Sequence, residues 1–246
     1  MTTSGTASFN LDLNDIIEEA YERCGVEVRT GYEHRTARRS LNLLFADWAN
    51  RGINLWTIEQ GSLNLAQGVA TYSLPVDTVD LLEHVIRTGA GNSATQADLT
   101  ISRISVSTYA TIPNKLTQGR PIQVWVNRQS GATIPNTDPP PPDTVVNSPQ
   151  INVWPTPDGS QTYQFVYWRM RRIQDSGGGA NTQDIPFRFL TCLVSGLAYY
   201  LALKIPEALN RLEPLKQMYD EAWDLAAGED REKAPDRLVP RRMYIS

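Results

Sequence analysis

Residues 184–204 read DIPFRFLTCLVSGLAYYLALK, and the fold turns on how this run is covered. A helix over Pro186–Lys204 carries two apolar stripes. One is Leu190, Val194, Leu197 and Leu201; the other is Phe189, Cys192, Gly196, Tyr199 and Leu203. A helix apolar almost all round has to be enclosed by other elements. Its most apolar part, Phe189–Leu203, is about 15 residues long and interrupted by Thr191, Ser195 and Gly196, too short to cross a bilayer. The spacing predicts a central helix of a globular domain, with no membrane partner.

The cover must come from the flanks. Downstream, Pro206 fits the first turn of a helix carrying Ala208, Leu212, Leu215, Tyr219, Ala222 and Ala226 at alternating four and three spacing. That is a packing seam, which Pro214 kinks or restarts. Near the other end, a helix begins at about Asn14, capped by Asp12 or Asn14 and stopped by Gly25. A second runs from Tyr32 to Asn50, with Ala37, Leu41, Leu44, Phe45 and Trp48 as one buried stripe and Gly52 past its end.

Between these helical ends the apolar period drops from 3.6 towards 2. Leu55–Ile58, Ser62–Leu65, Thr71–Leu74, Leu81–Arg87 and Ile122–Val126 read as short strands, with turns at Gly61 and Gln67-Gly68 and a helical turn over Ser105–Ala110. INVWPTPDGSQTYQFVYWRMRR (151–172) reads as a hairpin. Its second strand is apolar on both faces, Tyr163, Phe165 and Tyr167 on one and Val166, Trp168 and Met170 on the other, which predicts cover on both sides by helices or another subunit. QSGATIPNTDPPPPDTVVNSP (129–149) reads as a proline-rich loop and SGGGANTQD (176–184) as a flexible joint. From Gly228 on, GEDREKAPDRLVPRRMYIS has dense mixed charge and no period, yet closes on Met243, Tyr244 and Ile245. An apolar tip on a charged tail suits an arm that docks elsewhere.

The expected class is therefore α+β: a helical bundle built from N- and C-terminal helices, an inserted antiparallel β domain and an extended C-terminal arm. The boundaries fall at 1–53 for the first helices, 54–175 for the β insert, 184–227 for the last helices and 228–246 for the arm.

Composition narrows the function. A net charge of −4 with 41% apolar and 20% charged residues describes a soluble domain that does not draw its affinity from phosphates. Cys24 and Cys192 read as buried reduced thiols suited to a reducing compartment. The start MTTSGTASFN predicts no secretory signal. Of the two histidines, His34 and His84, neither sits in a nucleophile motif, and no metal-ligand spacing or phosphate-binding loop occurs. The expectation is no enzyme, no cofactor and no metal.

His34, Arg35, Arg38 and Arg39 open the second helix, with Arg35 and Arg39 one turn apart on the side away from Ala37, Leu41 and Leu44. They read as a solvated face that pairs with Glu18, Glu19 or Glu22 of the preceding helix. The other reading is a phosphate-facing patch, but no aromatic residues interleave for base stacking and no base-reading motif is present.

Three blocks carry a resemblance: RTGYEHRTARRSLNLLFADWANRGINLWTIEQGSLNL (29–65), VYWRMRRIQD (166–175) and DIPFRFLTCLVSGLAYYLALK (184–204). With them, most of residues 11–227 resembles the head-to-tail adaptor proteins of tailed bacteriophages, among them the connector or tail tubular subunits beneath the portal of short-tailed phages. The resemblance implies a virion protein of the head–tail neck, made in the host cytoplasm, that acts without catalysis. It implies a homo-oligomer, a twelve-membered ring that docks on the portal protein, helps retain packaged double-stranded DNA and presents a platform for the next tail component, a nozzle or tail-tube protein. It also implies a C-terminal arm reaching the portal or a neighbouring subunit. Here Val239, Met243, Tyr244 and Ile245 would be its anchors, and Arg237, Arg241 and Arg242 its charges. Arg35, Arg38 and Arg39 would then pair between helices or subunits, with a channel-facing position as the minority option, and Leu190, Val194, Leu197, Tyr199 and Leu201 would pack the central helix. The alternatives are another neck or tail-tube component, a DNA-binding module using Arg35–Arg39, and an enzyme acting on cell-wall polymer.

Overall fold

The computed structural model describes residues 3–7, 9–52, 55–128, 133–134, 145–146 and 148–231 of the chain. They form two compact units. One combines the described parts of Met1–Leu55 and Gln174–Ser246; the other is Trp56–Ile173. The fold is α+β.

Capping boxes start the first two helices. In α1 (Leu13–Cys24) the Asp12 carboxylate accepts from the Asp15 N–H at 2.9 Å while Asp15 accepts from the Asp12 N–H, and Thr30 and Glu33 do the same for α2 (Gly31–Asn50). Gly25 closes α1 in the left-handed region, at φ 81°, which glycine alone tolerates without strain. α3 (Val106–Ala110) is one short turn capped by Ser105. α4 (Leu190–Ala202) follows a 3-10 turn at Phe187–Phe189, and α5 (Leu212–Glu229) follows a 3-10 stretch at Pro206–Arg211. Pro214 lies in the first turn of α5, where its missing N–H has no intrahelical partner to lose, so it restarts the helix rather than kinking it.

In the helical unit α4 packs against α1, α2 and α5. Gly196 permits the closest approach: a Cβ there would lie 2.9 Å from both Leu44 and Tyr219. Beside it, fully buried Trp48 donates from Nε1 to the Tyr219 hydroxyl at 3.0 Å and packs its ring on Phe45, Phe189 and Trp223. The Arg51 guanidinium caps this cluster, 5.1 Å from the Tyr219 ring centre and 4.8 Å from that of Trp223, and is held by Asp47 at 2.9 Å.

Two expectations change here. Residues 176–184 are not a free joint: the Gly179 and Asn181 carbonyls accept from the Asn14 and Leu13 N–H groups at 3.1 and 3.0 Å, satisfying donors that the first turn of α1 leaves unpaired. The last helix also does not stop at Ala227. It continues through Gly228 to Glu229, and the buried Asp230 then accepts from the Leu55 N–H at 3.0 Å and pairs with Arg188.

The second unit holds β1 (Ile58–Leu65), β2 (Thr71–Ser73), β3 (Thr78–Thr88), β4 (Ala97–Thr100), β5 (Ser102–Arg103), β6 (Gln123–Asn127), β7 (Thr133–Ile134), β8 (Val145–Val146), β9 (Gln150–Trp154) and β10 (Tyr163–Arg171). One sheet runs β1-β10-β3-β4, another β2-β9-β6-β5, and β7 pairs with β8. All pairings are antiparallel except β5 with β6, which is parallel. Ile86, Phe165 and Tyr167 of the first sheet share one core with Val124, Ile151 and Val153 of the second.

The hairpin expected over 151–172 is therefore wrong. β9 lies between β2 and β6, while β10 lies between β1 and β3 in the other sheet. The segment joining them crosses over, bonding Thr156 to Thr117 and Pro157 to Gly68. Gly61 is not a turn either. It sits mid-strand in β1 opposite Tyr167, whose ring lies across it where a Cβ would collide. Leu55–Thr57 is a 3-10 turn rather than a strand. On β10 the row Tyr163, Phe165 and Tyr167 is buried; of the opposite row Val166 is buried, while Trp168 and Met170 are half-buried. Buried Arg169 continues the inner row and is satisfied by Asp77 (2.6 Å), Thr78 (2.9 Å) and Glu59 (2.8 Å).

Tyr219→Phe removes the acceptor of a fully buried indole N–H. It should cost about 1–3 kcal/mol, read as a lower denaturant midpoint at unchanged slope. His84 gives a pH dependence. Its ring stacks on Phe165 at 5.8 Å, and both nitrogens are shielded from solvent. Burial, with the Arg103 charge adding, lowers its pKa below the usual 6.5. The unfolded chain thus takes up the proton first on acidification, and stability should fall as pH drops through about 6.5 and below. Denaturant midpoints between about pH 7.5 and 5 should decline in wild type and flatten in His84→Leu over the range above carboxylate titration.

Candidate assembly surfaces

The basic turn of α2 presents Arg35, Arg38 and Arg39 to solvent. The expected pairing with α1 does not form. Glu19 is taken by Arg23 at 2.9 Å, one turn along the same helix, and Arg23 also donates to Ser195 at 2.8 Å. Arg38 donates to the Ser176 carbonyl and Arg39 to the Thr36 hydroxyl, each at 3.4 Å. Among the described residues none of the three arginines has an acidic partner.

α2 has a definite outward stripe because its inner one is fixed by Leu41, Leu44 and Trp48. Opposite these lie Tyr32, Arg35, Arg39, Leu43 and Ala46, all exposed. Tyr32 and Leu43 are 68% and 59% exposed. α5 behaves alike. Leu215, Tyr219 and Ala226 face inward, while Glu213, Met218, Glu221, Asp224 and Leu225 face out, Leu225 at 78% exposure. Between α1, the start of α2 and the end of α4 runs a cleft of ≈ 850 Å³ lined by Tyr21, Glu22, Val26, Arg29, Tyr32 and Lys204 among others.

α4 offers no such surface. Leu190, Val194, Leu197 and Leu201 are buried within the chain's own helices and Tyr199 is half-buried, so the first stripe is consumed internally. Of the second stripe, only Tyr199 and the exposed Leu203 reach solvent. The stripes of α4 are thus spent largely inside the chain. The arm residues Arg237, Val239, Arg241, Arg242, Met243, Tyr244 and Ile245 lie outside the described residues, as does most of the proline-rich loop.

Among the described residues no group of histidine, cysteine and carboxylate side chains could hold a metal, and neither histidine ring is bonded to a serine, threonine or cysteine. Among the described residues no helix is long and apolar enough to cross a membrane.

Both cysteines are free and buried; Cys24 donates from Sγ to the Ala198 carbonyl at 3.3 Å. Burial pushes the Cys24 thiol up to about 11 and the Cys192 thiol up to about 12. The thiolate is the reactive form. Native protein at neutral pH should therefore leave both thiols unmodified by a thiol reagent, and denatured protein should react at both.

A comparison with curated proteins finds no match. The family model described as SU10 adaptor protein matches residues 10–241, a span that takes in both compact units. The chain belongs to the SU10 adaptor protein family and is a phage adaptor.

Proposed function

We propose that this phage structural adaptor is a head-to-tail adaptor. Its subunits form a ring, a 12-mer, that docks beneath the portal protein. The ring retains packaged DNA, offers a platform to the next tail component, and serves as the conduit through which the genome leaves. The observation that carries this reading is the family match across residues 10–241, which includes the helical unit, the β unit and part of the tail.

The physical character of the chain supports it. A conduit must let duplex slide, and a net charge of −4 avoids the tight, salt-dependent grip that a basic lining would give. An arm that orders on docking can cover a large partner area at modest affinity per area. In this reading Arg237, Arg241 and Arg242 pair with acidic groups of the portal or a neighbour, and Val239, Met243, Tyr244 and Ile245 fill apolar pockets. Arg35, Arg38 and Arg39 serve contacts between subunits rather than the channel.

The test is sedimentation of the purified chain with its cognate portal ring, full-length and cut after Arg231, a cut that leaves α5 and Asp230 in place. The full-length chain should saturate at one copy per portal subunit, and the cut chain should bind at least about tenfold more weakly through loss of its anchors. Absence of binding by both forms would refute the head-to-tail reading.

A further inference from the structure

Resting on that reading, we propose which surfaces join neighbouring copies: the outward stripe of α2 on one copy seats on the outward stripe of α5 on the next. Each stripe mixes large apolar side chains with charges of one sign. On α2 the apolar residues are Tyr32 and Leu43, and Arg35 and Arg39 lie between them along the helix. On α5 the apolar residues are Met218 and Leu225, and Glu213, Glu221 and Asp224 lie to one side of them. The signs are opposite, and the charges are uncommitted: among the described residues no ion pair involves Arg35, Arg39, Glu213, Glu221 or Asp224. Glu221 accepts only from Gln217, at 3.1 Å, and Lys216 is the one basic residue in α5.

Intrachain chemistry does not compete. The acids of α2 are already engaged, Glu33 in the cap and Asp47 with Arg51, so its outward face is purely cationic. Both stripes belong to one unit and differ from each other. Joining them is a heterologous contact, which repeats head-to-tail and closes into a ring when the rotation allows. Large apolar side chains interspersed with charges that complement those of the partner suit such a contact, the charges setting register and excluding wrong partners. The same mixture argues against duplex DNA as the occupant of the α2 stripe, because phosphates offer nothing to the exposed Leu43.

Charge reversal on exposed positions tests this without disturbing the core. Three full-length chains are made: Arg35→Glu/Arg39→Glu, Glu221→Arg/Asp224→Arg, and the chain carrying all four changes. Each is checked for unaltered thermal unfolding. Sedimentation velocity then follows self-association with rising concentration, alone and on the cognate portal ring. Either double variant should assemble at least about tenfold more weakly than wild type. The two mixed together, and the fourfold variant alone, should recover, because each restores opposite signs across every contact. Wild-type-like assembly by either double variant, or no recovery on mixing, overturns the proposal. So does an arginine-reversed chain that assembles normally but loses affinity for duplex DNA. A wild-type chain that stays monomeric both alone and on the portal overturns the head-to-tail reading as well, and so separates the two failures.

Discussion

α4 buries ten of its thirteen residues, and no single neighbouring helix can cover a helix on so many sides. The cover is shared between the ends of the chain: α1 and α2 come from residues 13–50, α5 from 212–229. Each fully buried leucine or valine contributes about 1.5–3 kcal/mol, so the helices of both ends draw stability from the same α4. The Trp48 cluster is where that dependence concentrates, because its indole touches Phe189 and Trp223 and donates to Tyr219, all from the far end of the sequence. Once both ends are committed to α4, residues 56–173 can only be an excursion between them, and they form a core of their own from two sheets.

Much of this was legible because helices are local. The stripe Ala37, Leu41, Leu44, Phe45 and Trp48, the all-round apolarity of 189–203 and the Asp12 and Gly25 signals are set by residues a turn or two apart, and the structure places each inside or at the end of its helix. The β region was less legible, since which strands pair is a long-range decision. PTPDGSQT carries local turn chemistry, but Ile151 and Val153 reach the shared core from one sheet while Phe165 and Tyr167 reach it from the other. Gly61 looked like a turn because the aromatic ring that occupies its face comes from Tyr167, far away in sequence. Among the surfaces, the exposure of Arg35 and Arg39 could be read from their position opposite Leu41 and Leu44. Their lack of acidic partners could not, because Glu19 was equally able to choose Arg23. The acidic face of α5 is defined only once Leu215, Tyr219 and Ala226 have turned inward.

The way α4 is used bears on how such a protein can assemble. Its apolar stripes are spent on the subunit's own interior, so the monomer does not need partners to hide its core. What remains outside is mixed: single large apolar residues interspersed with charges on α2 and α5. Surfaces of that kind suit partners that must first exist apart and then join in a fixed register, unlike obligate interfaces, which resemble a core cut in half. The head-to-tail adaptor proposed above fits that description.

The measurement that bears most directly on the phage adaptor role is electron cryomicroscopy of virions assembled with this chain, with attention to the vertex through which DNA enters and leaves. The account predicts a ring at that vertex, beneath the portal, each subunit showing one helical unit built around α4 and one two-sheet unit. Virions that lack the chain at that vertex, or carry it elsewhere on the particle, would contradict it.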